Sequence, residues 1–380
     1  MNHKVLFTAS TFSHILNFHI PCLKWFQAQG WSVHVACGGE TAPIPYADRV
    51  VALPFQKRIE AVGNFRAAAR LRRLIAEEGY GLISTHTSLA AFFTRLAVKG
   101  LRERPLVANT VHGYLFDGDT PAVKRHVLLE AERLTAAQTD LLMTMNRWDF
   151  GLARREKLGR RVVHIPGMGV DFARLDRCGP GDALALRRKW GIPDDAFVLI
   201  YPAEFSARKS QMVVIQAMAM LPEDCVLVLP GCGSLLEECR AAAKGLGQVG
   251  RVIFPGQLSA MGAWYSMADA AVSASRSEGL PFNVMEAMYC GLPVAASRVK
   301  GHTDLIREGE TGLLYPYGDA AACAGAVRRL MESPSLRRDL GRSAKENVMQ
   351  YGLEQVLPEI VRQYSGLVPE LGRETVQMRK

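Results

Sequence analysis

The feature that most constrains this chain is a rhythm. Short apolar runs alternate with stretches of helical length, and the alternation fades near residue 170 and then restarts. Apolar runs too short for core helices, with amphipathic stretches between them, demand parallel strands covered by helices on both faces. The first series predicts strands at Lys4–Phe7, Ser32–Ala36, Gly81–Ser84, Leu106–Thr110, Leu141–Met145 and Val162–Ile165. The second predicts strands at Phe197–Tyr201, Val226–Leu229, Val252–Phe254, Ala270–Ser273 and Val294–Ala296. His14–Gln29 reads as one helix, with Ile15, Phe18, Leu23 and Phe26 on its apolar side and Gly30 as a left-handed cap. Cys178-Gly179-Pro180-Gly181-Asp182 reads as a linker or turn.

A chain of 380 residues exceeds what one core holds, since single cores stop growing near ~250–300 residues. The expectation is therefore an α/β protein of two Rossmann-like doubly wound domains, 1–175 and 176–355. A helical segment at 356–380, punctuated by Pro358 and Pro369, is expected to return to the first.

The net charge of +9 is carried entirely by the first part of the chain. Residues 1–175 hold 23 Lys or Arg against 14 Asp or Glu, and the remainder is balanced at 23 against 23. Such asymmetry attracts an anion, which leaves nucleic acid, an acidic lipid headgroup or a phosphorylated acceptor open. Arg66, Arg70 and Arg73 share a helix face, with Arg72 beside them, and a second basic group runs from Arg154 to Arg161. A solvated helix face is the plain reading of such a group; contact with an anionic membrane surface is the alternative.

Eight cysteines show neither a C-x-x-C pair nor a histidine partner at zinc spacing, which suits reduced, buried thiols in a cytosol. The first residues enter a strand directly, without the apolar stretch of a signal peptide, and no run of 18 apolar residues occurs. Any membrane attachment is expected to be peripheral, at the inner face.

Chemistry concentrates in residues 277–294. Pro281 suits the first position of a ten-residue helix, Gly291 the residue past its end, and Pro293 forbids continuation. The strands expected on either side would put the amino end of that helix at the carboxyl edge of a sheet, where backbone N–H groups and the helix dipole bind phosphate. Glu278 precedes the helix and Glu286 lies inside it. Carboxylates flanking a phosphate cradle repel the ligand unless they face its uncharged hydroxyls, so the pair reads as acceptors for a sugar and a ribose.

These residues resemble the signature of family 4 of the retaining glycosyltransferases, which have the GT-B fold of two such domains facing across a cleft. The seven residues separating the two glutamates, Glu286-Ala287-Met288 and Cys290-Gly291-Leu292-Pro293-Val294 carry the likeness, which is to enzymes of capsule and exopolysaccharide synthesis. The resemblance implies that Glu278 meets the donor sugar, Glu286 the ribose, and the amides near Pro281, Phe282 and Asn283 the diphosphate. Lys209 stands where the family carries a phosphate-binding lysine. Glu204 replaces the usual arginine five positions earlier, so Arg208 would complete a two-cation clamp. Gly231 and Gly233, after the next strand, would let backbone approach the donor.

In the first domain His112-Gly113 is similar to the family's donor-sugar motif, and Ser10, His14 and His19 would lie on the acceptor side. The family implies a nucleotide-sugar donor, with UDP expected, and no cofactor. The basic first domain and the absent signal peptide suggest a lipid-linked, polyprenyl-diphosphate-linked saccharide acceptor at the inner membrane face, and no nucleic acid is expected. Asp117-Gly118-Asp119 superficially matches the metal motif of another transferase fold; it follows the His-Gly loop rather than ending a strand, so no metal is expected. A UDP-N-acetylglucosamine 2-epimerase, a silent nucleotide-sugar-binding partner subunit and a dinucleotide oxidoreductase are the rivals. The last lacks a G-x-G-x-x-G after either first strand.

Overall fold

Lys4–Ala9 and Phe197–Ile200 are the first strands of two separate sheets, and both are buried almost throughout because each lies in the middle of its sheet. In the computed structural model all residues are described except Met1, Lys57, Ile59, 177–179 and 373–380, with the side chains of 180 and 372 also left aside. The chain divides into two compact units, Met1–Gly169 with Glu354–Lys380, and Val170–Leu353.

The first unit runs β1 (Lys4–Ala9), α1 (Phe12–Phe18), α2 (Ile20–Ala28), β2 (Ser32–Gly38), β3 (Arg49–Leu53), α3 (Val62–Glu78), β4 (Leu82–His86), α4 (Ser88–Val98), β5 (Leu106–Val111), α5 (Ala122–Ala136), β6 (Leu141–Thr144), α6 (Arg147–Arg155) and β7 (Arg161–His164). Its parallel sheet has the order β3-β2-β1-β4-β5-β6-β7. The order reverses between β1 and β4, the position at which doubly wound sheets open a crevice for ligands.

The second unit runs α7 (Pro180–Lys189), β8 (Phe197–Ile200), α8 (Gln211–Met218), β9 (Cys225–Pro230), α9 (Leu236–Gly245), β10 (Val252–Gly256), α10 (Gly262–Ser266), β11 (Ala270–Ser273), α11 (Phe282–Tyr289), β12 (Val294–Ser297), α12 (His302–Leu305), β13 (Leu313–Tyr315), α13 (Ala320–Glu332) and α14 (Pro334–Val348). Its parallel sheet is ordered β10-β9-β8-β11-β12-β13, and reverses between β8 and β11. α15 (Leu353–Leu367) then rejoins the first unit. There Tyr364 packs against Phe26 and its hydroxyl lies 2.6 Å from Ser84 Oγ, while Arg161 donates to Gln363 at 2.5 Å.

Four differences from the sequence reading have local causes. The helix expected over His14–Gln29 is two, broken at His19, because Pro21 has no N–H for the Asn17 carbonyl and its ring crowds that oxygen. Of the linker expected at 178–182, Cys178 and Gly179 lie outside the described residues, and Gly181 and Asp182 are already helical in α7. Edge strands β3 and β13 escaped the apolar pattern, being half-exposed and three residues long respectively. Pro358 lies within α15 rather than ending it; it costs one hydrogen bond near the helix start, and buried Val356, Ile360 and Tyr364 anchor the rest.

Candidate functional site

At the reversal point of the second sheet, β8 and β11 deliver two loops that hold each other. The buried Tyr201, just past β8, donates its hydroxyl to the Lys209 carbonyl at 2.7 Å and lies 3.0 Å from Ser275 Oγ. The Arg276 N–H donates to the Arg208 carbonyl at 2.7 Å. Between these anchors Lys209 Nζ reaches Glu278 Oε1 at 2.5 Å, and Arg208 donates to Glu278 Oε2 at 2.8 Å and to the Ser277 carbonyl at 3.2 Å. Burial alone would raise the Glu278 carboxyl, but the fields of Lys209 and Arg208 overcome it and hold the group at about 2. Gly301 closes the back of this pocket. Its φ is +82°, and a Cβ there would stand 2.7 Å from the Glu278 Cβ.

Glu204 is exposed and contributes only its carbonyl, which accepts from the Gln211 amide at 2.8 Å. The paired cations are Arg208 and Lys209, as the sequence requires if Glu204 is not one. Ser210, directly after them, adopts left-handed backbone at φ +50°, a strained conformation that sharp turns at functional sites tolerate. Gly231 and Gly233 are also required by packing. Any side chain at either position would collide with the backbone of Ala203 or Phe205, so these glycines serve the packing of the β8 loop along residues 230–233.

α11 follows Glu278 and has eight residues. Pro281 is its N-cap, in extended backbone, not its first helical residue; the Pro281 carbonyl accepts the Met285 N–H at 3.2 Å. Pro281 is buried while Phe282 and Asn283 are half-buried. Glu286, one turn on, is engaged from two sides: Tyr265 donates to Oε2 at 2.9 Å, and Arg174 forms an ion pair with Oε1. Arg174 was missed in the sequence. It lies 112 positions from its partner in a stretch with no periodicity, and only the fold joins them.

In the first unit, α1 and the ends of β4 and β5 bring His14, His19 and His112 together, with His86 as an unforeseen fourth member, while Ser10 lies beside Thr87. Ser10 N–H donates to Thr87 Oγ1 at 3.0 Å. The rings of His14 and His112 are 4.4 Å apart, those of His19 and His86 3.6 Å. Burial lowers His14 to about 4 and holds His19, His86 and His112 well below the usual range, so all four are neutral at pH 7. Asp117 is used locally: its Oδ1 accepts from the Asp119 N–H at 3.1 Å and the Thr120 hydroxyl at 2.9 Å.

Comparison with known proteins follows this division. Residues 182–347 match the family described as glycosyl transferases group 1, and residues 22–167 match the glycosyl transferase 4-like domain. The protein named "Putative glycosyltransferase EpsD" of Bacillus subtilis (strain 168) is 33% identical over 370 residues, covering 96% of this chain and 97% of that one. The chain belongs to the group 1 glycosyltransferases.

Solved structures agree on the fold of this glycosyltransferase. HepE of Anabaena in complex with UDP and glucose superposes with a TM-score of 0.77 at 18% identity, covering 96% of this chain and 99% of that one. Sucrose-phosphate synthase of Thermosynechococcus elongatus superposes at 0.79 and 22% identity, covering 96% and 98%. The architecture is GT-B, two Rossmann-like domains each built on a parallel sheet.

Proposed function

We propose that this glycosyltransferase moves a sugar, with retention, from a UDP-sugar to a polyprenyl-diphosphate-linked saccharide during synthesis of a cell-surface polysaccharide such as a capsule or exopolysaccharide. The observation that carries this reading is the buried Glu278 held between half-buried Lys209 and exposed Arg208 at the carboxyl ends of β8 and β11. A diphosphate is a better partner for two adjacent cations than one carboxylate, so the donor takes Lys209 and Arg208. Glu278, ionised throughout the physiological range, then accepts from sugar hydroxyls. The same cations neutralise charge growing on the departing diphosphate, and the first-turn amides of α11 add to them.

Glu286 meets the ribose by exchanging the Arg174 contact for hydroxyl donors, with Tyr265 holding its other oxygen. No protein nucleophile is required, because the departing diphosphate oxygen assists the acceptor on the same face, and no metal is required for transfer. His112 serves the donor sugar, and Ser10, His14 and His19 the acceptor. The uridine base is supported by HepE, whose structure contains UDP and glucose.

Peripheral contact with an anionic membrane is supported by two exposed helical faces. α3 presents Val62 and Phe65 beside Arg66, Arg70 and Arg73, and α5 presents Val123 and Val127 beside Lys124 and Arg125. No helix among the described residues is long and apolar enough to cross a membrane.

Anomeric analysis of the product from a UDP-sugar and a lipid-linked acceptor tests the chemistry. Retained configuration with release of UDP is the expected result. An inverted product, or a free epimerised sugar formed from donor alone, overturns it. Equal activity on soluble acceptors, with no binding to anionic vesicles, removes the membrane part.

A further inference from the structure

We propose that His14, His19 and His112 form a binding site for one transition-metal ion of the zinc class. One ring nitrogen from each lies within 4.8 Å of the other two. Zinc held by imidazoles at ~2.1 Å in tetrahedral geometry needs its nitrogens roughly 3.4 Å apart, a difference that small ring rotations close. Among the described residues this is the one group of three or more potential ligands so placed.

The second observation is independent of that spacing. His19 is fully buried, yet neither of its ring nitrogens has a hydrogen-bond partner, and His14 Nε2 is likewise buried and unpaired. Buried polar atoms in native proteins are ordinarily satisfied, and an imidazole with both nitrogens unpaired is a rare exception that calls for a reason. A simple stack of neutral rings accounts for the close approach of His19 and His86 but leaves those nitrogens unsatisfied. A metal ion supplies a partner to one nitrogen of each ring.

Position and surroundings fit the same ligand. The helix break at His19 turns its ring toward His14 and His112, whose centroids lie 5.2 and 5.3 Å away. His112 Nε2 faces His86 Nδ1 at 3.5 Å, His86 Nε2 faces Ser84 Oγ at 3.0 Å, and Ser84 Oγ faces Tyr364 OH at 2.6 Å. That relay orients a ligand ring from behind, as outer partners do at metal centres. Three imidazole donors select zinc, cobalt, nickel or copper over magnesium and calcium, and leave a fourth position for water or a substrate atom.

Occupancy withdraws these histidines from the roles proposed for them in transfer, so the metal acts as an inhibitor; this consequence rests on the proposed function, whereas the site itself does not.

Cobalt titration of the full-length, tag-free chain tests the site. One equivalent of Co2+ per chain is expected, with the visible absorption of four-coordinate nitrogen ligation, displaced by Zn2+ and not by Mg2+. Half-buried His14 carries the variant, since His19→Gln replaces a fully buried ring: His14→Gln weakens binding at least tenfold, and Cys232→Ser, at the exposed thiol, leaves it unchanged. Absence of a stoichiometric site, or binding that survives His14→Gln and disappears in Cys232→Ser, overturns the proposal. Zinc is then expected to slow transfer several-fold in the natural chain, and to lose that effect in His14→Gln. Stoichiometric cobalt binding with no change in transfer rate upholds the site and instead refutes the histidines' roles in transfer.

Discussion

Lys209 Nζ and Glu278 Oε1 stand 2.5 Å apart, with side chains 12% and 7% exposed. Removing one member of such a pair strands the other charge out of water, at a cost of about 3–5 kcal/mol. Lys209→Ala is expected to fall near the lower end of that range, because Arg208 remains to partner the carboxylate, and Glu278→Ala near the upper end, because it leaves two cations side by side. The double variant should lose much less than the sum. A double-mutant cycle by urea unfolding checks this, and strict additivity would show that the pair does not interact energetically. The same Lys209→Ala variant should lose about 10²–10³ in kcat through unneutralised leaving-group charge.

Gly301 and Gly309 form a matched pair of test positions. Both have positive φ, +82° and +75°, but a Cβ on Gly301 meets Glu278 whereas one on Gly309 meets nothing within 4 Å. Alanine at either should cost about 1–2 kcal/mol of backbone strain. Only Gly301→Ala should add a steric loss and raise the KM for donor several-fold. Equal donor KM values in the two variants would mean that Glu278 tolerates displacement.

Acid stability follows from five buried or half-buried imidazoles. His14 and His302 are lowered to about 4 by burial, and His19, His86 and His112 well below the ordinary value of 6.5. Each is neutral when folded and charged when unfolded at pH 5, so the unfolded chain binds more protons. Stability is therefore fully present above pH 6.5 and is lost as pH falls toward 4, by up to about 1.4 kcal/mol per pH unit for each histidine. Glu278 joins only at the acid end of that range: its contribution is complete above the unfolded value of 4.5 and is lost as pH falls from there through about 2. Calorimetry between pH 7.5 and 4.5 should show a steep decline in Tm, steeper for the first unit, which holds four of the five; a flat profile would contradict it.

Arg95 is wholly buried and donates to Glu132 at 2.8 Å and to the Ala91 carbonyl at 3.0 Å. Arg95→Ala should destabilise by about 3–5 kcal/mol by leaving Glu132 without its partner. UDP binding, proposed to lie in the second unit, should be unchanged in the folded fraction. Loss of UDP binding in parallel with unfolding of the first unit would place part of that site elsewhere.

Central elements were legible in the sequence because burial on both faces writes itself as an apolar run, as in Leu141–Thr144 and Val294–Ser297. Arg49–Leu53 was missed because its residues meet the core only in part at the sheet edge, and Leu313–Tyr315 because three residues, though largely buried, are too few to make a pattern. Glu278 and Glu286 could be found because local spacing and turn residues mark them, and Lys209 through the family resemblance. Arg174 and His86 could not, since their partners Glu286 and His112 are supplied by segments 112 and 26 residues away. Local rules also placed Pro281 one residue too far inside α11.

α15 belongs to the first unit although 184 residues of the second, Val170–Leu353, intervene. During synthesis the ribosome therefore completes the second unit while the first still lacks its final helix. Tyr364 and Gln363 arrive last, and the Ser84–His86–His112 relay has its outer end only when they do. A premature stop near residue 350 would thus spare the late-made half and cripple the one made earliest, the reverse of what position along the messenger suggests.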